Sequence, residues 1–112
     1  MSSKLINLTR DITIKSNAVI AKSFWDRFSG LMLRKKIDDD CALIFYGTNS
    51  IHSFFMRFAF DLVFVDRTMK VLKVYSGLAP WRMVFCPGAY AAIEMAQGSA
   101  SNTLAGEILQ IQ

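Results

Sequence analysis

Apolar residues recur at every second position over several short stretches of this chain, the spacing of strands rather than helices. Phe54, Met56, Phe58, Phe60, Leu62 and Phe64 alternate with Phe55, Arg57, Ala59, Asp61, Val63 and Val65. One strand of that length would exceed the usual span of about five or six residues, so a bend or bulge is expected near Ala59. Ala42 to Tyr46 is a continuous apolar run and reads as a buried strand. Ile12-Thr13-Ile14 and Ala18-Val19-Ile20 flank Lys15-Ser16-Asn17 and predict a hairpin. Asp66 to Lys70 should turn the chain into a strand at Val71–Tyr75, with the last strands at Ala89 to Met95 and Glu107 to Ile111. One segment has another period: Phe24, Trp25, Phe28, Leu31 and Met32 fall at helical spacing. Ser23 as cap, Asp26 as capping-box acid and Gly30 as stop predict about two turns of amphipathic helix across one open end or face. The expected fold is mainly β, a compact single domain over residues 1–112 built as a sandwich or barrel with one short amphipathic helix. Residues 1–4 are expected to be flexible.

Composition supports a real core. Of 112 residues 53% are hydrophobic, nine of them Phe and six Met, which excludes a disordered tail, a collagen-like repeat and a disulfide-stapled mini-protein. Thirteen Lys and Arg against nine Asp and Glu leave a net charge of +4. The one basic run, Arg34-Lys35-Lys36, is followed by Asp38-Asp39-Asp40 and reads as a solvated loop, so no nucleic-acid partner is expected. The mild positive balance favours anionic ligands. Cys41 and Cys86 sit in no metal-binding spacing and read as buried free thiols. Met1-Ser2-Ser3-Lys4 opens no signal peptide, and Phe54 to Val65, broken by Arg57 and Asp61, is too short to cross a bilayer. A cytoplasmic monomer without transmembrane segment, cofactor or metal is the expectation.

Four segments carry a resemblance. Asp26-Arg27-Phe28-Ser29-Gly30-Leu31-Met32 contains an Arg-x-x-Gly-Leu-Met pattern. His52-Ser53-Phe54-Phe55-Met56-Arg57-Phe58-Ala59-Phe60-Asp61 follows the pattern His-[Ser/Thr]-Phe-x-Met-Arg-Phe-Pro-Ile-Asp. Pro80-Trp81-Arg82 and Ala92-Ile93-Glu94-Met95-Ala96-Gln97-Gly98 complete the set in order. In these the chain resembles domain-of-unknown-function family 192, in its Pro-Trp-Arg subgroup. That resemblance implies a small, mostly β fold and no established reaction or ligand, so no catalytic residue is carried over. Some members bear export leaders, and this chain is not expected to. Ala59 stands where the signature has proline, Thr68-Met69 where an Asp-Gly turn is usual, and Ala96 where proline follows the last Glu.

His52 is the only histidine, which excludes a multi-histidine metal site. As a general base it would need a nucleophile, from Ser50, Ser53 or Cys86, and an orienting carboxylate, from Asp61 or Glu94. No recognised spacing ties these together, and a hydrogen-bonded structural histidine is the simpler reading. Arg57 and Asp61 lie in the most apolar stretch and read either as an ion pair at the bend or as part of a ligand site. In the second reading Arg57 and Arg82 form a fork for a carboxylate or phosphate. Glu94, between Ile93 and Met95, is expected on an opposite, polar face, salt-bridged to Arg57 or Arg82. Trp81 would line an aromatic pocket with Phe55 and Tyr46 or pack at the core rim. Cys86-Pro87-Gly88 reads as a turn. The reading that unites these residues is a non-catalytic β-domain binding a small anionic ligand or a peptide through Ser50, His52, Arg57, Asp61, Trp81, Arg82 and Glu94. The alternatives are a small hydrolase using His52 as base, and a protein–protein accessory domain docking through a strand edge or the face around Phe24 and Trp25.

Overall fold

A computed structural model describes residues 3–21, 37–54 and 56–112. Among these the chain forms β1 (Ser3–Asn7), β2 (Ile12–Ile20), β3 (Cys41–Tyr46), β4 (Ser50–His52), β5 (Phe60–Val65), β6 (Val71–Leu78), β7 (Met83–Phe85), β8 (Ala91–Ala96) and β9 (Leu109–Ile111). One sheet of seven strands has the order β6-β5-β8-β3-β2-β1-β9, and β4 pairs with β7 in a separate two-stranded ribbon. The large sheet curls into a half-barrel whose edges meet at one end. There the Val71 N–H donates to the Glu107 carbonyl at 2.8 Å and the Leu109 N–H to the Met69 carbonyl at 2.9 Å. The mainly β character is as expected, and among the described residues it takes the form of an all-β half-barrel with a ribbon where a sandwich or barrel with one short helix was expected. The helix expected around Phe24 to Met32 lies outside the described residues.

Both faces of the central strands are apolar, for different reasons. Leu5, Ala18, Ala42, Val63, Val71, Ile93 and Leu109 form one cluster. Every strand of the large sheet contributes to it, so it fills the inside of the curl. Phe45, Phe60, Leu62, Phe64 and Ala92 form the second cluster, on the outer face, beneath Ile51 of the ribbon and Met56, Leu78 and Cys86. β5 is therefore buried along its whole length. A strand covered on both sides reads as a continuous apolar run. Phe60 and Phe64, both at 0% exposure, each contribute about 2 to 3 kcal/mol of burial.

The expected hairpin at Lys15-Ser16-Asn17 does not form. β2 runs straight through it, with Lys15 opposite Leu5 of β1 and Asn17 opposite Cys41 of β3. The reversal lies one step earlier, between β1 and β2, where Asp11 adopts φ 55°. Aspartate tolerates that left-handed conformation better than most residues. β1 itself is ordered by its neighbours rather than by its own pattern: Lys4 and Gln112 exchange backbone hydrogen bonds of 2.6 and 2.9 Å. Strand pairing begins at Ser3, opposite Ala18.

Side chains replace turn glycines elsewhere. At the β5–β6 turn Met69 takes φ 66°, and Asp66 Oδ1 accepts from the Thr68 N–H at 2.9 Å, its hydroxyl at 2.6 Å and the Lys70 N–H at 3.1 Å. Before β9, Glu107 accepts from the Leu104 N–H at 2.6 Å, Asn7 Nδ2 at 3.2 Å and Arg10 Nε at 2.5 Å. This buried carboxylate ties the β1–β2 turn to the end of the chain.

The bend expected near Ala59 takes two forms. The alternating run is not one strand: β4 ends at His52, before the run begins, and β5 starts only at Phe60. In addition, Phe60 pairs with Leu78 and Leu62 with Tyr75, so Ser76 and Gly77 together oppose Asp61 in a β-bulge. Gly77 sits at φ 68°, and a Cβ there would come within 3.0 Å of Gln97 Nε2. Its N–H, freed from the ladder, donates to Asp61 Oδ1 at 2.8 Å, while Asp61 Oδ2 accepts from the Ala100 N–H at 2.8 Å. Asp61 is at 0% exposure.

Asp61→Ala would leave two enclosed N–H groups without acceptors. We expect it to lower unfolding stability by about 3 kcal/mol or more in a urea titration. Glu107 and Asp66 are both held below their ordinary carboxylate values. The Leu104 N–H is the largest cause for Glu107, joined by Asn7 and Arg10; the Thr68 hydroxyl is the largest for Asp66, followed by the Lys70 N–H. A lowered folded value means their stabilisation is complete above the ordinary range and is lost as pH falls through the lowered values. Melting temperatures from about pH 6 to about pH 3 should fall, and less steeply in Glu107→Gln.

Candidate functional site

The site is organised by a serine. Ser53, at 0% exposure, follows β4. Its N–H donates to the Arg82 carbonyl at 2.8 Å, and its hydroxyl donates to the Ala79 carbonyl at 2.6 Å and accepts from the Arg82 N–H at 2.8 Å. Its carbonyl accepts from the Trp81 N–H at 3.0 Å and the Met56 N–H at 3.1 Å. One residue thus joins the chain leaving β4 to the chain entering β7. Between these bonds Trp81 is fixed at φ 64°. A bulky residue there is a genuine outlier that persists only where surrounding bonds over-determine it.

Ring stacking extends from that point. Trp81 stacks on Phe54 at 5.9 Å between centroids and 27° between planes, and Phe54 lies 5.1 Å from the half-buried His52. In the ribbon His52 opposes Met83, and Ser50 opposes Phe85. These four side chains share one face, while Ile51 at 1% exposure points into the outer core. Trp81, Met83 and Phe85 stand 56, 69 and 58% exposed. The result is a surface ledge of three rings continuing into an apolar ribbon face. The stretches that build it, residues 49–60 and 79–90, carry Arg57 and Arg82 and no acidic residue. Both arginines are exposed.

The residues expected to bind a ligand are therefore only partly gathered. Ser50, His52, Trp81 and Arg82 belong to the ribbon and its entry, and Arg57 to the connection that follows Ser53. Asp61 does not join them: it lies on the side of β5 that bears Val63 and Val65, inside the curl, with both oxygens engaged. Glu94 is on the opposite face from Ile93 and Met95, as expected, but that face is apolar, and Glu94 is at 0% exposure across from Leu43 and Leu62. Among the described residues an ion pair joins Arg10 to Glu107, and none joins Arg57 to Asp61 or Glu94 to Arg57 or Arg82. Tyr46 is not part of a Trp81 pocket; it packs on Tyr90 at 5.9 Å, whose ring also carries the Arg67 guanidinium at 4.5 Å. Phe55 lies outside the described residues. Cys86-Pro87-Gly88 is a turn, with Gly88 at φ 85° and Cys86 buried.

The model of DUF192, described as uncharacterized ACR, COG1430, matches residues 6–111. The chain belongs to this family. It is 33% identical over 93 residues to UPF0127 protein PH1112 of Pyrococcus horikoshii, covering 78% of this chain and 76% of that protein. UPF0127 protein PF1050 of Pyrococcus furiosus is 33% identical over 84 residues, 70% of this chain and 69% of that protein. A crystal structure of a protein of unknown function from Novosphingobium aromaticivorans shares the fold at a TM-score of 0.78. It is 16% identical, over 96% of this chain and 82% of that one.

Two segments of the DUF192 pattern meet at the ledge. His52 and Ser53 open one and Trp81 and Arg82 close the other, 29 residues separating Ser53 from Arg82. Asp61, in the first segment, instead holds the bulge. Sequence reasoning missed Ser53 as the organising residue and Phe54, Met83 and Phe85 as exposed. Ser53 adjoins the only histidine, which is a weak signal; Phe54 shares the apolar alternation of Phe60 and Phe64, which are buried, so its exposure carried no mark in the sequence. In this DUF192 domain Ser53→Ala should cost about 1 to 3 kcal/mol in chemical unfolding, because the Ala79 carbonyl and Arg82 N–H lose a buried partner. Trp81 fluorescence, read in a Trp25→Phe background, should become more quenchable in Ser53→Ala as the indole loses its fixed seat.

Proposed function

We propose that this DUF192 domain is a non-catalytic binding module. It takes a small carboxylate- or phosphate-bearing ligand, or a peptide, on the ledge of His52, Phe54 and Trp81 beside Arg82. The observation that carries the reading is Trp81, held at φ 64° with 56% of its surface exposed. Strained backbone is retained where something depends on the geometry it imposes. Here an exposed indole is followed in the chain by an exposed arginine, and apolar platform and cation together suit an anion with an apolar body.

The hydrolase reading finds less support. The Ser53 hydroxyl already serves the Ala79 carbonyl and Arg82 N–H, and Asp61 faces the interior of the curl. Ser50 lies two positions from His52 on one strand, roughly 7 Å along the backbone. A base–nucleophile hydrogen bond needs about 3 Å between heavy atoms, closer than the backbone alone brings the two.

Thermal unfolding of the parent, Trp81→Ala and Arg82→Ala against citrate, inorganic phosphate, N-acetylaspartate and the acidic peptide named below tests the proposal. A ligand at about a hundred times its dissociation constant adds roughly 2.7 kcal/mol, several degrees in a domain of this size. We expect a shift with at least one probe that both variants lose while staying folded. No shift with any probe, or a shift unchanged in both variants, would remove the ledge as the binding surface.

A further inference from the structure

We infer that the outer edge of β7 accepts an extended acidic peptide as a third strand of the ribbon; this rests on the binding reading above and names its ligand. The register decides which backbone groups are available. Ser53 N–H donates to the Arg82 carbonyl and Cys86 N–H to the Asn49 carbonyl, so residues 53 and 82, 51 and 84, and 49 and 86 are the hydrogen-bonded pairs of this antiparallel ladder. His52 with Met83 and Ser50 with Phe85 are the intervening pairs, whose main-chain groups point away from the partner strand. The N–H and C=O of Met83 and of Phe85 accordingly line the edge of β7 remote from β4. Their side chains are among the most exposed large apolar groups of the chain, at 69 and 58%.

Strand edges are ordinarily blunted by lysine, by an inward charge or by proline within the strand. Met83-Val84-Phe85 has none of these, its short length of three residues being its one blunting feature, and Pro80 and Pro87 stand only beyond its ends. A short uncharged edge of this kind is suited to strand addition, in which main-chain bonds give affinity and alternate side chains give specificity. Alternate residues of an added strand would lie beside Met83 and Phe85, on the face that continues to His52 and the Trp81–Phe54 stack. Charge selects the occupant. Arg82 immediately precedes β7, residues 79–90 contain no acid, and the chain as a whole carries +4. Acidic flanks complement that field, whereas a second copy of this chain would bring like charge to it.

The test is an NMR titration of the 15N-labelled full chain with acetyl-Asp-Glu-Val-Thr-Val-Asp-Glu-amide. Two analogues run beside it: one with lysine replacing every acid, and the acidic peptide with N-methylated valines. We expect the acidic peptide to shift the Met83 and Phe85 amides and slow their exchange. The lysine analogue and the N-methylated peptide should each bind about fivefold or more weakly. Met83→Pro, which removes the side chain and an outward N–H, should bind about fivefold more weakly than Met83→Ala, which removes the side chain but keeps that donor. If Met83→Pro fails to fold, the N-methylated peptide carries the same comparison on the parent chain.

Shifts centred on Trp81 and Arg82 without protection at Met83 and Phe85 would overturn strand addition while leaving the ledge as a binding surface. So would binding of citrate or phosphate but of no peptide. Equal binding of the lysine analogue would overturn the acidic assignment. Protection of the same amides by self-association, seen as concentration-dependent mass in light scattering, would make a second copy the occupant and overturn the peptide. Silence from peptides and small anions alike would end both readings.

Discussion

A carboxyl group inside an apolar half-barrel is tolerable only with its oxygens hydrogen-bonded, and Asp61 meets that condition with two backbone amides. One comes from Gly77 in the β6 bulge and the other from Ala100 in the turn after β8. The bulge bends β6 and increases its local twist, so the bond to Gly77 fixes curvature as well as satisfying a donor. The bond to Ala100 anchors the turn that closes over the inner cluster, to which Ala100 belongs. An edge strand bent in this way can bring Val71 within reach of Glu107 and join the two margins of the sheet.

Curling encloses one face and leaves the other needing cover. Phe45, Phe60, Leu62 and Phe64 on the outer face are covered in part by Ile51 of the ribbon and by Met56 and Cys86. A ribbon that small has little stability of its own. It is held by its buried inner side chain and by Ser53, which replaces a missing ladder bond with its hydroxyl at the point where both chains turn away. Anchored from beneath, the ribbon can leave Met83, Phe85 and Trp81 in water without unravelling. The same arrangement accounts for both the strained tryptophan and the open strand edge.

The likeness to the Novosphingobium aromaticivorans structure at 16% identity shows how little of the sequence the fold requires. Backbone pairing and a few side chains bonded to backbone do much of the positioning here. Asp66, Glu107, Ser53 and Asp61 each accept from main-chain N–H groups, and each sits at a turn, a bulge or a strand end.

Much of the strand content was legible because a half-buried strand imprints its own period on the sequence. β3, β5, β6, β8 and β9 follow from apolar runs or alternation at about the expected places. The family resemblance was legible too, from contiguous motif segments. What failed were readings that depend on a neighbour. The turn placed at Lys15-Ser16-Asn17 became part of one strand because β1 and β3 pair with its two halves. Glu94 was assigned a polar face because alternation reports that a face differs, not what covers it. Asp61 looked like a binding residue because a lone acid among phenylalanines carries no mark of the amides that enclose it. Short-range pattern determined β3, β5, β6, β8 and β9. Hydrogen-bond partners 16, 29 and 39 residues away decided which polar groups were structural and which were left at the surface, because closure of the curl, not local preference, brings those amides together.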